Sequence, residues 1–145
     1  MREVRTEIKI NAPKAKVWDI LMDFDTWAEW NPIVTKAGGS AAIGEALTMT
    51  MAGPDGGDAQ SYSPVITEFS PPDSFRWNAK MGASFLFSND KILELTETES
   101  GTHLVHSETF SGLMAAMMWG KMKAGVPPML NSMNEALKTL AEKEG

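Results

Sequence analysis

Residues 8–32, IKINAPKAKVWDILMDFDTWAEWNP, constrain what this chain can fold into more tightly than any other stretch. Glu7, Lys9 and Asn11 alternate with Ile8 and Ile10, the period of a half-buried strand. Pro13 follows, and its fixed φ and missing N–H suit the first turn of a helix. Val17, Ile20, Leu21 and Phe24 then recur at i, i+3, i+4 and i+7, which lays one apolar face along that helix. Thr26 and Glu29 have the spacing of a capping box for a second short helix. Asn31-Pro32 should stop it, because the residue before proline is pushed toward extended geometry.

The middle of the chain predicts antiparallel sheet. Leu47, Met49 and Met51 alternate with Thr48 and Thr50, and the glycine-rich run that follows predicts a hairpin turning near Asp55-Gly56. No helix pattern or P-loop lysine follows that run, so it is not a phosphate loop. Further strands are expected over 62–69, 75–81, 85–98 and 102–111, with Phe75, Trp77, Ala79 and Met81 on one apolar face. Downstream, Met114, Met117, Met118, Met122, Met129, Leu130, Met133, Leu137 and Leu140 keep a helical phase, predicting one long helix laid on the sheet. Pro127 and Pro128 predict a kink or break near Gly125, within 124–128.

The pattern I-x-I-x-A-P-x-x-x-V-W-x-I-L-x-D-F-x-x-W-x-x-W-N-P resembles the opening of the START-like, SRPBCC helix-grip superfamily of polyketide cyclase/dehydrase and lipid-transport proteins. The run from Gly101 through His103, His106, Glu108 and Phe110 to Leu113 resembles that superfamily's last strand, and Met133-Asn134-Glu135-Ala136-Leu137-Lys138 its closing helix. The resemblance implies an α+β helix-grip fold: a curved antiparallel sheet of about six or seven strands wrapped around a long C-terminal helix, with two short helices after the first strand. It frames nearly the whole chain, read as one ligand-cavity domain over 1–145. The fold carries diverse activities, so function has to come from the site.

Composition narrows the partners. With 145 residues and 43% hydrophobic positions, one core suffices. A net charge of −6, with Lys and Arg scattered, argues against nucleic acid and against an anionic membrane surface. The absence of cysteine removes disulfides, thiol nucleophiles and thiolate metal ligands, and fits a cytoplasmic location. The first ten residues predict a charged alternating strand rather than a signal peptide, and no apolar run reaches the roughly 20 residues of a membrane span. A monomer and a homodimer are equally compatible with the sequence.

Candidate site residues follow from shared faces. Trp77, Phe75, Met117, Met118, Met129 and Met133 are expected around one continuous cavity between sheet and helix, together with Met49, Phe85, Phe110 and Met114. Eleven methionines suit a wall that adapts to ligands of loose shape, although such a stripe is also ordinary core. Trp27 and Trp30 fall where the superfamily's short helices close one end of the cavity, and fit core packing or pocket lining equally.

Polar chemistry is sparse. His103 and His106 are three apart and so face opposite sides of a strand, which prevents their sharing a metal. If Leu104 and Phe110 point inward, so do His106 and Glu108. That pair is open to three roles: acid and base, polar recognition of a ligand, or structure. Nucleophile-elbow, zinc-protease, EF-hand and dinucleotide motifs are absent, and no metal or cofactor is expected. The reading favours non-catalytic binding of a small hydrophobic molecule (lipid, polyketide or aromatic) over two rivals. One is a polyketide cyclase or dehydratase using His106 and Glu108; the other is a co-chaperone-like interaction module.

Overall fold

The computed structural model describes residues 2–51, 60–80 and 85–143. Among these described residues, eight strands and three helices run in the order β1 (Arg2–Ile10), α1 (Lys14–Met22), α2 (Trp27–Trp30), β2 (Val34–Gly38), β3 (Thr48–Met51), β4 (Gln60–Tyr62), β5 (Val65–Ser70), β6 (Ser74–Lys80), β7 (Ser88–Thr98), β8 (Gly101–Ser111) and α3 (Leu113–Ala141). Five strands form one antiparallel sheet in the order β1-β8-β7-β6-β5, and β2-β3-β4 form a second. This is the helix-grip α+β architecture, with eight strands in two sheets where six or seven in one were expected.

Pro64 accounts for part of that difference. It has no N–H to give to a ladder, so the apolar stretch 62–69 is divided, with Tyr62 ending β4 and Val65 starting β5. The two sheets stay joined there: Leu47 N donates to Pro64 O at 2.8 Å and Gly44 N to Ile66 O at 2.8 Å. β7 begins at Ser88, three residues later than the pattern suggested. The turn expected near Asp55-Gly56 and the inward Met81 lie outside the described residues.

Local signals around the first helices hold in part. Pro13 is the N-cap of α1 at φ −60°, and Val17, Trp18 and Leu21 are buried. α2 stops at Asn31, whose extended backbone (φ −87°, ψ 113°) is what Pro32 demands. The capping box does not form: the Thr26 hydroxyl donates to Asp23 O at 2.9 Å instead, completing the single 3-10 turn over Phe24–Thr26.

α3 is unbroken through Val126, Pro127 and Pro128, so of the expected kink or break the break does not occur. The two prolines remove two internal hydrogen bonds, but the flanking turns are held by packing on the sheet, and that outweighs the local loss. Ala115, Leu130, Met133, Asn134, Leu137 and Ala141 are its buried positions. Its C-terminal end is tied down by Lys138 Nζ donating to Lys9 O at 2.8 Å and by Asn11 N donating to Glu142 Oε2 at 2.7 Å. At its start Gly112 adopts φ +101°, and a Cβ there would lie 2.6 Å from Leu86 O, so glycine is required to launch the helix from β8.

Apolar burial falls into two clusters. The larger one contains Phe24, Trp27, Val34, Phe75, Trp77, Leu93 and Met133, with Trp18 packed on Phe69 and Phe75. The smaller one joins Val4, Phe110, Ala115 and Leu130, with Phe87, Trp119 and Val126 against it. Each fully buried large side chain contributes about 1.5–3 kcal/mol. Where the two clusters fail to meet, the molecule keeps a void.

Candidate functional site

That void is a cavity of about 430 Å³ whose walls come from both clusters. Trp27, Val34, Trp77 and Met133 face it from the larger cluster, and Phe87, Phe110, Val126 and Leu130 from the smaller. Its polar wall is built by strand register. Trp77 on β6 lies opposite Lys91 on β7, Lys91 opposite Glu108 on β8, and Glu108 opposite Val4 on β1. The next row is Phe75, Leu93, His106 and Thr6.

Lys91 connects the rows. Its Nζ lies 3.0 Å from Glu108 Oε2 and 2.7 Å from His106 Nε2, and 5.7 Å from the centre of the Trp77 ring. The residue is only 4% exposed, so a buried ammonium is compensated by a carboxylate, an imidazole and an aromatic face. His106 and Glu108 do share the inward face, but they couple through Lys91 rather than directly.

Behind Lys91 the bonds close into a ring. His106 Nδ1 is 2.8 Å from Asn134 Oδ1, Asn134 Nδ2 donates to Thr6 Oγ1 at 2.9 Å, and Thr6 Oγ1 donates to His106 O at 2.8 Å. Because the Thr6 hydroxyl donates to a carbonyl, it accepts from the Asn134 amide, leaving Asn134 Oδ1 to accept from His106 Nδ1–H. The proton therefore sits on Nδ1, and Nε2 accepts from Lys91. Burial first, then the Lys91 charge, holds His106 well below the usual histidine range, with the Asn134 bond opposing them, so the ring is neutral. Tyr62, on the cavity wall and edge-on to Trp77, is pushed well above the usual phenol range by burial and secondarily by Glu108, and stays a neutral donor.

Of the residues expected around the cavity, Trp27, Trp77, Glu108, Phe110, Met129 and Met133 line it. His106 is fully buried behind Lys91 and does not. Phe75 and Met49 are packed core, Phe75 wedged among Trp18, Phe24 and Trp77. Trp30 leans edge-on against Trp27 at 5.8 Å. Phe85 (73% exposed), Met114, Met117 (76%) and Met118 stand at the surface. Phe85 falls outside the sheet because β7 starts only at Ser88, and for the three methionines the reason is helical phase: the inward stripe of α3 is Ala115, Trp119, Met122, Val126, Leu130, Met133 and Leu137, and at 100° per residue Met117 falls on the opposite side from Ala115.

Lys91 and Asn134 are the functional candidates that sequence reasoning missed. Each left a signal. Lys91 occupies an inward position of β7, between Asn89 and Leu93, and Asn134 a polar position in the buried stripe of α3. His103, on the outer face, pairs with Glu7 at 3.0 Å. Among the described residues the buried indole N–H groups of Trp30 and Trp77 have no hydrogen-bond partner, and no group of three or more His, Cys, Asp or Glu is placed to hold a metal. No helix among them is long and apolar enough to cross a membrane.

The family model described as polyketide cyclase / dehydrase and lipid transport matches residues 1–142. The chain belongs to that family. Comparison with curated protein sequences returned no match. Among solved structures, the di-domain ARO/CYC StfQ from the steffimycin biosynthetic pathway superposes with a TM-score of 0.80 at 16% identity, over 97% of this chain and 50% of that one. This member of the polyketide cyclase / dehydrase and lipid transport family thus spans half the length of StfQ. A protein from Chromobacterium violaceum gives a TM-score of 0.78 at 16% identity over 99% of this chain and 100% of its own. A hypothetical protein from Helicobacter pylori gives 0.82 at 12% identity over 97% and 88%. At such identities the likeness is one of fold.

Proposed function

We propose that this chain binds a small, mainly hydrophobic molecule in the cavity between the sheets and α3. The observation that carries the reading is the cavity itself: about 430 Å³, walled by aromatic and aliphatic side chains, with one buried ion pair, Lys91–Glu108, as its charged interior feature. Apolar walls with a few convergent polar groups are the usual make-up of a ligand site.

The enzymatic alternative, with His106 and Glu108 as acid and base, has weaker support. Both ring nitrogens of His106 are engaged and the ring does not line the cavity, which leaves Glu108 without its partner in proton transfer. A co-chaperone-like module would favour a filled interior, and this interior holds a void.

The test is native mass spectrometry of protein purified without detergent, together with uptake of the neutral dye Nile red. A co-purified small molecule, and dye uptake abolished by Met133→Trp, are expected. Dye uptake that Met133→Trp leaves unchanged would sink the proposal.

A further inference from the structure

Resting on that reading, we infer that the ligand carries an uncharged hydroxyl, a phenol or an alcohol, seated on the Lys91–Glu108 pair, and that carboxylate ligands are disfavoured. The pair offers a donor and an acceptor 3.0 Å apart on the cavity wall. A hydroxyl matches both at once, because its oxygen accepts from the Lys91 ammonium while its proton goes to the Glu108 carboxylate. Glu108 has acceptor capacity to give, since one of its oxygens, Oε2, makes its contact with Lys91.

Charge decides against the alternatives. A ligand carboxylate beside Lys91 would also lie beside Glu108, and two anions beside so buried a pair repel strongly. An amine would meet the converse conflict with Lys91. Neutral His106 and neutral Tyr62 leave the ion pair as the net-uncharged centre of the buried wall. Lys80 also borders the cavity, but it is exposed, where water screens it. Trp77, in the same cross-strand row, gives the ring next to the hydroxyl an aromatic surface.

Displacement of Nile red from the full chain by β-naphthol, β-naphthoate and naphthalene at neutral pH tests this. These probes share one apolar skeleton. Naphthol is expected to bind about tenfold more tightly than either of the others, the scale of one charge-assisted hydrogen bond. In Glu108→Gln the preference between naphthol and naphthoate should shrink by about tenfold, each affinity being taken relative to naphthalene binding by the same variant, so that any general change in the cavity cancels. Naphthoate binding as tightly as naphthol would overturn the inference and leave the cavity reading standing, with Lys80 rather than the pair setting preference. Failure of Nile red and all three probes to bind would overturn both.

Discussion

Lys91 Nζ lies 3.0 Å from Glu108 Oε2 across the β7–β8 ladder, with both side chains almost completely removed from water. Burying either charge alone is costly, so each is tolerated because of the other. Lys91→Met should therefore destabilise the protein by about 3–5 kcal/mol. The double variant Lys91→Met/Glu108→Leu should recover most of the loss, because it removes the orphaned carboxylate. Urea unfolding measures both, and a single variant as stable as the unmodified chain would refute the coupling.

Stability should fall on mild acidification because of His106. Its folded-state value is depressed, so below the ordinary histidine range the unfolded chain takes up a proton that the folded chain refuses. The stability is complete above about pH 6.5 and is lost as pH falls toward the folded-state value, by at most about 1.4 kcal/mol per pH unit. His106→Gln should lack this component and His103→Gln should keep it. A flat stability profile between about pH 6.5 and 5 in the unmodified protein, a range set by the ordinary histidine value, would contradict a neutral buried ring.

Replacing both helix prolines should stabilise the fold. Pro127→Ala/Pro128→Ala restores two N–H donors inside an unbroken helix. An interior proline costs about 3 kcal/mol, against about 0.4–1 kcal/mol gained by restricting the unfolded chain. The helix term wins, so a higher thermal midpoint and slower amide exchange over 124–128 are expected. A lower midpoint would mean that the prolines relieve a strain elsewhere.

The methionines of α3 should separate into two classes. Met117→Gln, at an exposed position, should change stability by no more than about 0.5 kcal/mol. Met133→Ala, at a buried one, should cost about 2–5 kcal/mol and also weaken Nile red binding. Equal effects in chemical denaturation would show that the helix phase is wrong.

What the sequence determined by itself was the alternation of the strands and the order of the elements. Alternation in residues 2–10 and 101–111 placed Leu104, His106, Glu108 and Phe110 on one face, because side chains of a strand alternate wherever its partners lie. Pro13, Asn31-Pro32 and the apolar steps of α1 set the element order in the same local way. Tertiary structure decided what depends on residues distant in the chain. The register of β7 on β8 put Lys91 between Glu108 and His106, and the rotation of α3 on the sheet brought Asn134 to His106 while turning Met117 to solvent. Neither register nor rotation is written in a window of adjacent residues. Each is settled by how the whole set of buried side chains packs, and the cavity is the space that packing leaves between Trp77 and Phe110.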